Sequence, residues 1–262
     1  MIHLSLVLDL SLPVGDSGDA LVTTYRQHHL PLMQALLRAP QSATGLCINS
    51  WLLQQWISQG LEEGLDVLRQ LYDFGKVELC GTASHHAIMP LVPENIAFRQ
   101  VRRNSRMLQN LLHPEWKPAG FLPPQLAYGH ELSRVLLPLG FRWCLADDSS
   151  YAALHGTVPV HTVTRCGGLA VLLCSRMWSQ RLEQLVSEAP RTFAKRHHSE
   201  LTRWLGSDGH GYQVLRLGAD NFPPGGGQKL QNYLEEMQNL GVRWCHPSHL
   251  LEIGRASCRE RV

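Results

Sequence analysis

Polar side chains recur at one kind of position in this 262-residue sequence, at or just after the end of a short apolar run. Asp9, Asn49, His85, His86, Gln125, Asp147, Asp148, Arg176, Asp220 and His246 all fall there. Any one of them alone suits a turn or a helix cap. Their recurrence points instead to one shared site. Carboxylates, amides and imidazoles brought together can bind a polyhydroxylated ligand. Two carboxyl groups can also act on a glycosidic bond, one attacking the anomeric carbon and one protonating the leaving oxygen. Gly225-Gly226-Gly227-Gln228-Lys229 lacks the Gly-Lys-Ser/Thr step of a phosphate cradle and reads as a flexible loop over the pocket.

The elements that must position these groups follow from the hydrophobic pattern. Apolar runs at residues 4–10, 46–49, 76–81, 119–122, 141–146, 169–174, 212–217 and 242–245 read as strands. Amphipathic stretches between them read as helices, among them 61–74, ended by Gly75, and a long one from Pro93-Glu94 to Leu112. Pro31 is expected to break or start a helix within the first helical stretch. Strand and helix alternating in this way give parallel pairing with crossover helices, an α/β class. Seven or eight such strands fit a closed barrel, whose site lies at the C-terminal strand ends. Residues 1–252 are expected to form one such domain.

Bulk properties narrow the class. The chain is 44% hydrophobic and 18% charged, enough for one large core. No apolar run reaches the ~18 residues of a membrane span, and the N-terminus has no signal-peptide pattern, so a cytoplasmic location is expected. Residues 253–262 read as the in-frame translation of a sequencing adapter, which implies a protein truncated at its C-terminus. Without that tail's three arginines and one glutamate, the 24 basic and 22 acidic residues become 21 of each. Neutrality removes any case for nucleic acid or a membrane as partner. The seven cysteines, six without the tail's Cys258, form no CxxC pair and read as reduced, structural thiols, although Cys166 and Cys174 flank a hairpin across which they could pair. Arg99, Arg102, Arg103 and Arg106 read as a solvated helix face, and His197-His198 as an exposed helix surface.

Several stretches resemble glycoside hydrolase family 57. Leu12-Pro13-Val14-Gly15 is similar to the family's "HQPVG" opening, and residues 75–81 to its "GQVELLG" segment. Residues 86–94 resemble "HPILPLIPE", residues 120–125 resemble "GFFPPE", and Gly140-Phe141-Arg142-Trp143 with Asp147-Asp148 resembles "GYEWIILDD". The resemblance implies a (β/α)7 barrel acting on α-glucans with retention, without a metal or other cofactor. It places the nucleophile position at Gln125 and the acid/base at Asp220. Asp9, Glu78, His86, Asp147, Asp148 and His246 are then the expected substrate-binding residues.

Two signature positions depart from the family pattern. The nucleophilic glutamate is replaced by Gln125, and the opening histidine by Ser11. A glutamine amide carries no negative charge for an oxocarbenium-like transition state, so double displacement is expected to fall by orders of magnitude. Two other readings stand beside this one. One is a metal-dependent deacetylase using Asp9 with His246 and His249; the adjacent His85 and His86 do not supply a ligand pair, since neighbours on an extended chain point opposite ways. The other is a sugar-binding barrel without turnover, in which Trp143, Trp178 or Trp244 could stack on sugar rings, although all three read first as core.

Overall fold

A computed structural model describes every residue except 13–14, 16–17, 40–42, 207–210, 223 and 254–262. Pro13 and Val14 of the opening motif and nearly all of the tail therefore lie outside the described residues. Nine strands are described: β1 (Ile2–Asp9), β2 (Thr44–Cys47), β3 (Val77–Cys80), β4 (Gly120–Phe121), β5 (Trp143–Asp147), β6 (Thr164–Cys166), β7 (Leu169–Cys174), β8 (Gly211–Gly218) and β9 (Val242–Trp244). Seven of them run parallel in the order β3-β2-β1-β8-β7-β5-β4. A bridge from Gly81 to Phe121 joins the two ends of that row, with Gly81 N–H donating to Gly120 at 2.8 Å and Leu122 N–H to Gly81 at 2.9 Å. The ring is the expected (β/α)7 barrel.

The remaining two strands lie off the ring. β6 pairs antiparallel with β7, across a Gly167-Gly168 turn whose φ values of 56° and 90° suit a tight hairpin. β9 pairs with β1 only at Ile2–Leu4, so it lies at the barrel's N-terminal end.

Helices jacket the ring: α1 (Asp19–Thr24), α2 (Leu30–Arg38), α3 (Ser50–Ser58), α4 (Glu63–Asp73), α5 (Glu94–Leu111), α6 (Leu132–Leu136), α7 (Asp148–His155), α8 (Arg176–Glu183), α9 (Pro190–Leu205) and α10 (Gly226–Asn239). Local chemistry sets their ends. After α4, Gly75 takes φ 62° and its N–H donates to Tyr72, while Lys76 N–H donates to Leu71, a Schellman stop. Asn49 caps α3 by accepting from Leu52 N–H at 3.3 Å. None of the described helices is long and apolar enough to cross a membrane.

One helical expectation is met and one needs correction. Pro31 starts a helix: a π turn (Tyr25–His29) joins α1 to α2 and places the proline in the first turn of α2. Gly226 and Gly227 are the start of α10 and not a flexible loop. A Cβ on Gly227 would sit 2.9 Å from the Pro31 carbonyl, so glycine is what lets α10 pack closely on α2.

Strand alternation sorts side chains into two layers. Leu4, Leu6 and Leu8 of β1 face the helices with Leu215 and Leu217 of β8, while Val7, Tyr212 and Val214 face the barrel interior. The N-terminal half of that interior is plugged. Trp143 lies over Gly120, where a Cβ would be 1.9 Å from the indole, and the segment after β9 adds Cys245, Leu250 and Leu251. Trp143, Trp178 and Trp244 are all buried core residues. The six described cysteines are free thiols, including Cys166 and Cys174.

His197 is fully buried and not exposed as the sequence suggested. Its Nε2–H donates to Gln213 Oε1 at 2.8 Å, and Nδ1 accepts from the Tyr233 hydroxyl at 2.7 Å, with Trp178 stacked 3.8 Å away. Burial pushes its pKa down from the usual 6.5 to about 4, and that of buried His29 to about 3. Both imidazoles are thus neutral in the fold and take up protons on unfolding.

Two predictions follow from this core. The unfolded chain binds more protons below pH 6.5, so stability is full above that pH and declines toward pH 4 and below. The urea midpoint should fall across this window, and His29→Met should flatten the fall. Gly120→Ala should lower stability by about 1–3 kcal/mol through overpacking against Trp143, read as a drop in thermal midpoint.

Candidate active site

The inward-facing residues at the C-terminal ends of the strands meet at one rim. Asp9 ends β1 facing inward and is 3% exposed. Its Oδ2 accepts from Arg216 Nη2 at 2.7 Å and Nε at 3.1 Å, and its Oδ1 accepts from Ser11 N–H at 3.0 Å. Arg216 lies on the adjacent strand β8, opposite Val7, so its side chain reaches one rung up to the carboxylate. Burial penalises the guanidinium charge, but the charge and hydrogen bonds of Asp9 outweigh that, and Arg216 is held more firmly protonated than usual.

Gln125 follows β4 in a turn that begins at Pro123-Pro124. Its φ is 58°, and that of Leu126 is 54°, a left-handed conformation that non-glycine residues adopt at a cost. His86, after β3, has φ 55° and brings its Nε2 to 3.4 Å from Gln125 Nε2. Burial lowers the His86 pKa; Asp9 and Asp220 pull the other way, while Arg216 adds to the lowering. Asp220 sits exposed in the turn Ala219–Asn221 after β8. That turn is tied to the π turn, whose His28 Nδ1–H donates to the Phe222 carbonyl at 2.6 Å.

Asp147 ends β5 and Asp148 opens α7, with separate tasks. Asp147 Oδ1 accepts from the backbone of Ser149 and Ser150 and from the Ser149 hydroxyl, capping α7. Asp148 Oδ1 accepts from Arg176 N–H at 3.0 Å at the start of α8. Burial raises the Asp148 pKa, and the neighbouring Asp147 adds to this. Asn49 is likewise spent on structure, its amide donating to the Leu12 carbonyl at 2.8 Å. His85 is bound to the Ser84 hydroxyl at 2.7 Å.

Glu78 and His246 are not at this rim. Glu78 faces inward one rung below Cys80 and is held by the Ser248 hydroxyl at 2.6 Å, Ser248 N–H at 2.9 Å and the Trp143 indole N–H at 3.2 Å. It belongs to the N-terminal plug. His246 contacts the carbonyls of Thr44 and Gly75, at the beginnings of β2 and β3. Because β9 pairs low on β1, the loop that follows it falls below the rim. Asp9 is therefore not brought together with His246 and His249. Among the described residues, no cluster of three or more His, Cys, Asp or Glu side chains is arranged to hold a metal ion.

An open cleft of about 1900 Å³ starts at the rim, bordered by Gln125, Asp147, Arg176 and Arg216. It continues past the outward faces of β5 and β7 at Ala146, Val171 and Leu173, beneath Tyr128 and Tyr151. Arg216 is the main residue that the sequence reading missed. A charged residue between Leu215 and Leu217, on the strand face that points inward, was the available signal.

The structure defines a closed (β/α)7 barrel with acid, amide, imidazole and guanidinium groups at its open rim. Comparison with known proteins makes the assignment specific. The glycosyl hydrolase family 57 model matches residues 17–217, and the chain belongs to that family. It is 23% identical over 136 residues to a 4-alpha-glucanotransferase of Thermococcus kodakarensis, covering 52% of this chain and 20% of the relative. The crystal structure of the 4-alpha-glucanotransferase from Thermococcus litoralis superposes with a TM-score of 0.80 at 18% identity, over 96% of this chain and 40% of that one. A GH57-type branching enzyme from Pyrococcus horikoshii gives 0.79 at 14% identity, over 95% of this chain and 70% of that one. The chain thus spans about a fifth of the length of the curated glucanotransferase.

The buried ion pair can be tested directly. Asp9→Ala leaves a mostly buried guanidinium unpaired and should cost about 3–5 kcal/mol in urea denaturation. Adding Arg216→Met should recover part of that loss.

Proposed function

We propose that the rim binds α-linked glucan or oligosaccharide, with Asp220 as the acid/base and Gln125 in the place of the nucleophile. Family membership and the names of the relatives support the substrate class. The observation that carries the reading is the approach of Gln125 to His86 at 3.4 Å, with Arg216 lining the same cleft as Gln125. Sugar hydroxyls would be oriented by Arg216, itself locked by Asp9, and by His86. Asp147 would border the bound chain where the cleft begins. Glu78 and His246 take no part, being committed at the other end of the barrel.

On this reading the chain is a glucan site without double-displacement chemistry. An amide at position 125 offers neither the attacking oxygen nor the negative charge that stabilises the developing cation. Asp9 cannot take its place, since both carboxylate oxygens are bonded and the residue is buried.

The test compares the parent with Gln125→Glu for new reducing ends and chain redistribution on soluble α-glucan. Gln125→Glu should exceed the parent by about 1,000-fold or more, the scale on which nucleophile removal acts. An active parent that the change leaves unaltered would mean that another residue attacks, and the assignment of position 125 would be wrong.

A further inference from the structure

We propose that the cleft beyond the rim holds an apolar aglycone, so that the preferred ligand is a short α-glucan bearing an apolar group at its reducing end. The inference rests on the reading of the rim as a glucan site given above and names what lies next to the bound sugar.

The outer faces of barrel strands are ordinarily sealed by the crossover helices. On β1 and β8 this holds, where Leu4, Leu8 and Leu217 share one core with Leu36 of α2 and Leu230 of α10. Between β5 and β7 it does not. The crossover there opens with α7, eight residues long, and none of them is buried. Leu154 near its end is 82% exposed. Leu132, Val135 and Leu136 of α6 pack into the apolar layer outside β5 and β7, while Tyr128 and Tyr151 are only partly buried against it. The outer side of Ala146, Val171 and Leu173 therefore lies under a cleft and not under a helix.

Strand alternation divides that cleft into two chemistries. Asp147 and Cys174 pair across β5 and β7, Cys174 pairs with Val214, and Arg216 stands two residues further on, so these face into the barrel. Ala146, Val171 and Leu173 face out. The cleft passes over the strand ends and joins the two sides. Its inner end offers Gln125 and an Arg216 fixed by Asp9, partners for sugar hydroxyls. Its outer floor of alanine, valine and leucine offers none. A glucan chain continued along that floor would leave hydroxyls without partners, whereas an apolar group gains by leaving water there. At about 1900 Å³ the cleft exceeds the roughly 300–1,000 Å³ of an ordinary small-ligand pocket, so it has room for both parts. A polar end continuous with an apolar one fits an amphipathic ligand.

The experiment is calorimetric titration of the full chain with maltose and with maltosides of ethyl to octyl chain length, each below its micelle concentration. Affinity should rise with chain length, by up to about fourfold for each methylene buried, and octyl maltoside should bind at least about 30-fold more tightly than the ethyl compound. Leu154→Asp and Tyr151→Ser lie on a helix that buries no residue, and circular dichroism should show both folded. Each should cut the octyl-to-ethyl ratio by about fivefold or more. Equal affinity for the ethyl and octyl compounds, or a ratio that both variants leave intact, would overturn the inference. If maltose then binds as tightly as its glycosides, the glucan reading stands alone. If 1-octanol binds as tightly as octyl maltoside, the sugar adds nothing and the inference falls. If neither maltose nor any glycoside binds, both readings fall.

Discussion

A closed ring of seven parallel strands leaves little interior space, and every inward side chain must share it. The bridge at Gly81 enforces this, because without it β3 and β4 would be the free edges of an open sheet. Closure makes the lower interior a packing problem, solved by Trp143 over Gly120 and by the segment that follows β9. Closure also brings the tops of β1, β4 and β8 within reach of one another. Polar groups at those tops then face a common opening, while the same strand faces further down are apolar. The candidate site is the part of the barrel interior that the core does not fill.

Glu78 shows how closely that division is drawn. It faces inward like Asp9, but one rung below the strand end, and there a carboxylate can persist only with full hydrogen bonding. Ser248 and Trp143 supply it. The segment after β9 thus closes the bottom of the barrel and supplies hydrogen bonds to the inward acid there. At the rim, Arg216 does the corresponding task for Asp9. Two carboxylates that look alike in sequence are fixed by different partners at opposite ends of one cavity.

Much of this was legible in the sequence. The eight apolar runs correspond to the seven barrel strands and β9, and the helix ends at Gly75 and Asn49 follow from local backbone chemistry. Period-two alternation was enough to place Asp9 and Asp147 at the inner rim. Depth along a strand was not legible, because alternation fixes the face and not the rung. Glu78 was expected at the site from the family resemblance and His246 from its place after the last apolar run, and neither signal carries the rung. His197 was hidden for a related reason: its neighbours Lys195, Arg196 and Glu200 mark a solvated helix, and only packing against Trp178 and Tyr233 shows that one face is buried. Arg216 depends on a partner 207 positions away, a contact that local sequence does not encode.

Backbone strain bears on whether the rim is a working site. Among the described residues, three non-glycine residues have positive φ: His86, Gln125 and Leu126. Each left-handed residue costs on the order of 1 kcal/mol or more, so the two loops that carry them are held against a preference for other conformations. Barrel closure does not need that strain, since the bridge runs through Gly81, Phe121 and Leu122, ahead of the turn. What the strained turn does is lift the Gln125 side chain out of the strand direction and into the opening, beside His86. Leu126 packs against the barrel interior, so part of the strained turn serves the core. His86 and Gln125 carry the rest of the strain, at the two positions that the glucan reading sets against a ligand.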